Sequence, residues 1–343
     1  MKYAVVQPLF KKGDKTKLSN YRPIPILSSF SKILEKVMYK ELQDHLNKHS
    51  VLAQEQFGFR SNSSTNKAIY KLINETLNAL NSKLIVGGIF FDLEKAFDCS
   101  NHDILLSKLQ FYGVNGTTRS WFVSYLQNRY MRVQITDEGS NQTSFSAWKK
   151  ITDGVSQGSV LGPLLFLIYV NDLPKTTNDD NIPILFTDDT SIIVKSPNAK
   201  DFQTNMVEAF DRVNKWFKVN SLSINVEKTH YMQFKTKNKP TFDINIVCDS
   251  NSITPVTDIK FLGIYLQDSI NWSCHIEYII PKLSSAYYVM RSIKPIMPIN
   301  TLKNVYYSHF NAIITYGIPF WGNSPHGTKI FKMQKRIVRT MMG

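Results

Sequence analysis

Two short stretches hold acids where acids are unfavourable. In Phe186-Thr187-Asp188-Asp189-Thr190, two adjacent carboxylates stand between the apolar runs 182–185 and 192–194. A β-branched or aliphatic run, a polar centre and a second such run read as strand, turn and strand. In Phe90-Phe91-Asp92-Leu93-Glu94-Lys95-Ala96-Phe97-Asp98, Asp92 ends the apolar run 84–91, of the kind a buried central strand supplies. Carboxylates against apolar walls are costly unless they are paired or bind a cation, and their oxygens suit hard ions such as Mg2+. If the 84–91 strand pairs with the 182–194 hairpin, Asp92, Asp188 and Asp189 converge. Three carboxylates so placed can hold two divalent ions about 3.5–4 Å apart, the arrangement of in-line phosphoryl or nucleotidyl transfer.

The elements that must position these acids can be read along the chain. Residues 3–10 form a strand, followed by a basic loop over 11–20. Leu34, Val37, Met38, Leu42 and Leu46 recur at helical spacing in 31–49, with Ser31 as the expected N-cap. Helices follow at 65–80, 101–112, 117–127, 163–172 (buried) and 199–219, with a polar hairpin over 134–150. Residues 222–234 and 244–266 read as mostly strand. From Trp272 onward the pattern turns helical and basic, broken at Pro295, Pro298 and Pro319, so a boundary is expected near 268–272. Mixed strands and helices with long crossovers indicate an α+β or α/β core followed by a helical module.

Composition narrows the function classes. The 343 residues carry 41 Lys and Arg against 27 Asp and Glu, a net charge of +14, which suits a polyanionic partner. A hydrophobic content of 43% supports a packed core and excludes disorder. Cys99, Cys248 and Cys274 are too few and too scattered for a disulfide framework or a zinc site, which fits an intracellular setting, nuclear or cytoplasmic. The longest apolar stretch, 160–170, contains Gly162 and Pro163 and is too short to span a bilayer. No membrane partner is expected.

Ordered blocks across nearly the whole chain resemble the reverse transcriptases of non-LTR (LINE-type, jockey-like) retrotransposons. They are Asn20-Tyr21-Arg22-Pro23-Ile24, Gln56-Phe57-Gly58-Phe59-Arg60, 91–102, 154–163, 186–190, Leu222-Ser223-Ile224-Asn225 with Lys228-Thr229, and Phe261-Leu262-Gly263-Ile264. The resemblance implies a right-hand polymerase: fingers and palm with a ferredoxin-like antiparallel sheet over 1–268, then an α-helical thumb over 269–343. It implies an RNA-directed DNA polymerase that extends a DNA primer on an RNA template with deoxynucleoside triphosphates. The cofactor would be two Mg2+ ions, with Mn2+ as a substitute, and an element-encoded RNA-binding protein is a candidate partner. The alternative is an inactive element remnant that only binds nucleic acid. Residue by residue, Asp92, Asp188 and Asp189 would hold the metals with the Leu93 carbonyl, and Lys228 would be the general acid for pyrophosphate. Arg22, Lys11 and Arg60 would hold the triphosphate. Gln157 and Gly158 would meet the incoming nucleotide, and Phe97 would gate against a 2′-hydroxyl, which disfavours an RNA-copying RNA polymerase. Phe261, Leu262 and Gly263 would grip the primer. Glu94 reads as solvated, Asp98 as structural and His102 as a helix-start hydrogen-bonding group. Tyr306, Tyr307, Lys329, Lys332, Lys335, Arg336 and Arg339 would suit a thumb against duplex backbone.

The sequence departs from the family pattern at Thr187, where Ala is usual, at Ser156, where Pro is usual, and at Cys99-Ser100-Asn101-His102. None of these removes an expected metal ligand. The chain is expected to start within the fingers and to end within a longer tail, leaving no room for the endonuclease that usually precedes this domain.

Overall fold

The computed structural model describes residues 2–136, 139, 141–156, 158–178, 180–236 and 240–343. Gln157 lies outside them, as do three residues at the tip of the 134–150 hairpin. The first elements are β1 (Tyr3–Phe10), β2 (Tyr21–Ile26), α1 (Ser29–Lys48), α2 (Thr65–Asn81) and β3 (Ile85–Phe91). They are followed by α3 (His102–Phe111), α4 (Gly116–Leu126), β4 (Arg129–Thr136), β5 (Thr143–Phe145), β6 (Lys149–Ile151) and α5 (Gly162–Val170). Then come β7 (Asn181–Phe186), β8 (Asp189–Ser196), α6 (Ala199–Val219) and β9 (His230–Phe234). The short strands β10 (Val247–Cys248), β11 (Asn251–Ser252) and β12 (Thr254–Pro255) lead to the hairpin β13 (Asp258–Phe261) and β14 (Ile264–Gln267).

The central sheet has the order β12-β9-β3-β8-β7. Strands β9, β3, β8 and β7 run antiparallel to one another, and β12 joins β9 in parallel. Helices separate β3 from β7, and α6 separates β8 from β9, so this is the ferredoxin-like β-α-β-β-α-β arrangement. The sequence IVGGIFF of β3 shows no alternation because both faces of the strand are covered. Ile89 and Phe91 enter one hydrophobic core with α3, α5 and α6. Val86 and Phe90 enter a second core with α2, β13, β14 and the C-terminal helices.

A second sheet, β2-β1-β4-β5 with β6 also on β4, packs less completely. The C-terminal helices are α7 (Ser273–Ile293), α8 (Ile299–Val305), α9 (Ala312–Thr315), α10 (Ile318–Trp321) and α11 (Gly327–Met342), with a π-helical turn over Tyr306–Asn311. On α11, Ile330, Ile337 and Met341 are buried, while Lys329, Lys332, Lys335, Arg336 and Arg339 are exposed. Among the described residues no helix is long and apolar enough to cross a membrane.

Three expectations need correction. Ser28, not Ser31, caps α1: its hydroxyl accepts from the Ser31 N–H at 3.2 Å, while Ser31 itself is buried. Only 230–234 of the 222–234 segment is strand, because Ser221 is left-handed at φ 54° and 222–229 then wraps across the end of β3. The stretch 244–266 is likewise broken into pieces of two to four residues.

Candidate active site

Strand register brings the acids together. Phe91 pairs with Thr190, and Phe186 pairs with Asp189 across the hairpin turn, so Asp92 emerges beside the Asp188-Asp189 turn at one end of the sheet. The wrapped segment fixes Asp92 from the other side. The Asp92 N–H donates to the Thr229 hydroxyl at 3.1 Å, the Asn225 N–H donates to the Asp92 carbonyl at 2.8 Å, and Leu93 bridges Ile224. Thr229 is fully buried. The pair Lys228-Thr229 therefore acts in two directions. Thr229 anchors the strand end, and the Lys228 ammonium lies 3.3 Å from Asp92 Oδ2.

The three carboxylates feel one another. Asp189 is pushed up to about 6, first by desolvation and then by the Asp188 and Asp92 charges. Asp188 is also raised, first by desolvation, with Asp92 adding to it and Arg22 and Lys11 opposing. Both side chains keep an open face to solvent. The desolvation therefore comes from protein mass behind the turn, not from enclosure. Lys11 is lowered, first by its own desolvation and then by Arg22 and Lys228, while Asp92 pulls it back up. Lys11, Arg22, Lys228 and the carboxylates thus share one electrostatic neighbourhood, although Lys11 and Arg22 come from the other sheet.

No three His, Cys, Asp or Glu side chains among the described residues are gathered as a ready metal cage. The donor set nevertheless fits a hard divalent ion. It is all carboxylate oxygen, and a cation would relieve the repulsion that raises Asp189. Asp92, Asp188 and Asp189 are the residues that could hold it.

The remaining site candidates divide. Phe97 stacks on Phe166 with centroids 4.6 Å apart, and its carbonyl accepts from Val155 N–H at 2.7 Å, which ties it to the 154–163 loop. Gly158 has φ +94°, with open space around the position of a Cβ. Asp98 abuts that loop through its backbone, since a Cβ on Gly154 would stand 2.6 Å from the Asp98 carbonyl oxygen. His102 does not cap α3; Asn101 does, and His102 Nε2 instead bonds the Gly154 carbonyl at 2.8 Å. Phe261 packs edge-on to Phe90 of the strand that delivers Asp92. Leu262 and Gly263 are both left-handed, at φ 44° and 88°, and the Tyr316 hydroxyl donates to the Leu262 carbonyl. Arg60 is not brought to the carboxylates: its guanidinium donates to the Ala53 and Gln56 carbonyls, stapling its own loop. Tyr306 is buried against Phe310, with its hydroxyl accepting from Gln334, so it is a core residue, whereas Tyr307 is exposed.

Residue-by-residue reading gave no role to three anchors. Gln56 reaches the 186–189 turn, accepting from the Thr187 N–H at 3.0 Å. Glu35, buried at the base of α1, accepts from the Val160 N–H at 2.7 Å and from the Tyr125 hydroxyl at 3.0 Å. That phenol is pushed up to about 12, chiefly by burial. A cavity of about 130 Å³ lined by Ser31, Glu35, Tyr125 and Arg129 lies there, with none of the three carboxylates in its walls. Thr187 sits at φ 62°, a left-handed position that costs a residue other than glycine roughly 1–3 kcal/mol. The only sequence signal for these anchors was a polar residue inside an otherwise apolar helix face or block.

Comparison with known proteins follows the same lines. A family model described as "Reverse transcriptase (RNA-dependent DNA polymerase)" matches residues 10–266. The chain is 28% identical over 358 residues to the probable RNA-directed DNA polymerase from transposon BS of Drosophila melanogaster, covering 99% of this chain and 38% of that protein. It is 28% identical over 349 residues to the RNA-directed DNA polymerase from mobile element jockey of the same species, covering 96% and 36%. The chain thus spans under two fifths of the length of these curated relatives. Among solved structures, apo telomerase from Candida tropicalis matches with TM-score 0.53 and 12% identity, over 99% of this chain and 62% of that one. Telomerase from Candida albicans in complex with a fragment of telomeric RNA matches with TM-score 0.52 and 11% identity, over the same shares. At such identities the likeness is one of fold: a mixed sheet with helices, as in a right-hand polymerase.

Proposed function

Because this chain belongs to the reverse transcriptase (RNA-dependent DNA polymerase) family, we propose that its carboxylate cluster performs nucleotidyl transfer, extending a DNA primer on an RNA template. The observation that supports this most directly is the convergence of Asp92 with the Asp188-Asp189 turn at one end of the sheet, where the Asp189 pKa is pushed up to about 6, first by desolvation and then by the Asp188 and Asp92 charges. A protein surface has no reason to gather three mutually repelling carboxylates at a strand end unless they take up positive charge. In this reading residues 1–268 are fingers and palm, and 269–343 are a thumb.

Asp92, Asp188 and Asp189 would hold two Mg2+ ions, with the Leu93 carbonyl beside them. Bound there, such ions lower the pKa of the primer 3′-hydroxyl and stabilise the pyrophosphate that leaves. The chain supplies the rest. Arg22 and Lys11 hold the triphosphate oxygens, Arg through a planar fork and Lys as a point charge. Lys228, whose ammonium stands 3.3 Å from Asp92, would donate the proton to the leaving pyrophosphate. Phe97, backed by Phe166, presents a flat apolar wall to the sugar, where a 2′-hydroxyl finds no partner. Gly158 leaves room for the incoming nucleotide, and Gln157, outside the described residues, would contact it. Arg60 keeps its loop staple and is assigned no part in triphosphate binding. Phe261, Leu262 and Gly263 form the primer grip, held by Tyr316. The exposed cations of α11 contact duplex phosphates, which gives salt-sensitive affinity without sequence preference.

The test is extension of a 5′-labelled DNA primer annealed to RNA, with Mg2+ and each class of nucleotide. The expected product requires deoxynucleotides and the RNA strand. Incorporation of ribonucleotides with equal efficiency would contradict the role given to Phe97, and absence of any templated product would contradict the polymerase reading.

A further inference from the structure

We propose that Gln56 is a positioning residue for this site: its carboxamide clasps the 186–189 turn and fixes Asp188 and Asp189 against Asp92. In what it says of turnover the proposal rests on the polymerase reading above.

Gln56 is 131 residues from Thr187 in sequence and only 2% exposed. Its Oε1 accepts two N–H groups, from Thr187 at 3.0 Å and from Gly58 at 2.7 Å. Two converging donors leave only the amide oxygen as their partner, which settles the orientation of the side chain. The neighbouring backbone locks the arrangement. The Leu185 N–H donates to the Glu55 carbonyl at 2.9 Å, and the Phe57 N–H donates to the Leu185 carbonyl at 2.8 Å, a parallel bridge that covers the outer edge of β7.

What the clasp opposes is visible at Thr187. This β-branched residue stands in the left-handed region at φ 62°, with 7% exposure. Such a conformation persists only where the surroundings over-determine it. Gly58 makes the close approach possible, since a Cβ there would lie 2.5 Å from Thr187 Oγ1 and 2.7 Å from Thr187 N. The other half of the amide argues the same way. Gln56 Nε2 is buried without a partner among the described residues. An apolar residue of similar length would avoid that cost, so it is the oxygen, not general packing, that accounts for an amide here.

The experiment is a double-mutant cycle on the full chain, combining Gln56→Met with Thr187→Gly, read by steady-state primer extension. Gln56→Met is expected to lower kcat at least tenfold with KM for deoxynucleotide within twofold of wild type. In the Thr187→Gly background, where the left-handed turn needs no support, the same substitution is expected to lower kcat less than threefold. Gly58→Ala, whose Cβ would press on Thr187 Oγ1 and N, is expected to reproduce the kcat loss should Gln56→Met fold poorly. A kcat within twofold of wild type, or an equal loss in both backgrounds, would overturn the clasp. If the wild-type chain extends no primer, the polymerase reading fails, and hydrogen exchange of the peptide covering 183–190 decides the clasp separately. Exchange at least tenfold faster in Gln56→Met supports it, and unchanged exchange overturns it.

Discussion

In the central sheet, β3 is buried along all but its first residue, and β8 is buried from Thr190 to Val194. In the second sheet, β2 buries one residue of six and β5 buries none. Yet charges from both regions meet: Arg22 of β2 and Lys11, just after β1, oppose the rise of the Asp188 pKa. The anions stand on a frame covered on both faces, and the cations on one with little apolar area to fix it. The contrast has a physical sense. Like charges must be forced together by packing, whereas cations approaching anions are drawn by the field itself. In the proposed mechanism the palm is preorganised and the fingers deliver.

The largest expected effect that would sharpen this contrast is on stability. Phe91, stacked on Phe210 and 4% exposed, should cost about 3–5 kcal/mol when changed to Ala. Ile26 of β2, 53% exposed, should cost roughly 0.5 kcal/mol or less. Denaturant midpoints measure both, and equal losses would break the contrast. Next comes Arg22→Ala, expected to raise KM for deoxynucleotide by about ten- to a hundredfold, roughly 1.5–3 kcal/mol for a charged hydrogen-bonding group. The effect should shrink as salt is raised, with the denaturant midpoint unmoved.

A smaller effect concerns pH. Asp189 has its pKa shifted up from 3.8 to about 6, so between these values the folded chain holds more proton there than the unfolded chain. Its contribution is therefore unfavourable above about pH 6 and is relieved as pH falls toward 4. Asp189→Asn should remove this slope in stability between pH 7 and pH 4, measured by denaturant titration at several pH values. Extension by the wild type should fall over the same window, because protonated Asp189 no longer holds a cation. Smallest is Lys332→Ala on α11, expected to weaken duplex affinity alike for all sequences and to lower the salt slope by about one. A sequence-dependent loss would contradict a backbone contact.

How far these features could be read beforehand follows from how local their signals are. The runs at 84–91 and 182–194 are continuous and apolar, so their strands and the convergence of the three acids were legible. The wholly buried α5 was legible for the same reason. The cap of α1 was misread because serines at 28 and 31 offer the same chemistry, and only backbone geometry chooses between them. Tyr306 and Tyr307 could not be told apart because the π-helical turn over Tyr306–Asn311 shifts the helical phase. The wrap of 222–229 around Asp92 depends on a left-handed Ser221, which composition does not announce. Gln56 stands out in the sequence only as a polar residue in an otherwise apolar block, and nothing local announces its bond to Thr187 across 131 residues. Arg60 matched a block yet serves its own loop, since two nearby carbonyls compete for its guanidinium.

The central claim is that the buried frame holds Asp92, Asp188 and Asp189 together in order to bind cations for nucleotidyl transfer. It is tested most directly by Mg2+-dependent extension of a DNA primer on RNA, comparing the wild-type chain with Asp188→Asn. The account predicts templated product that EDTA abolishes. It also predicts a loss of roughly a thousandfold or more in Asp188→Asn, about 4 kcal/mol of transition-state stabilisation, with a melting temperature no lower than that of the wild type. Extension by Asp188→Asn at the wild-type rate would contradict it.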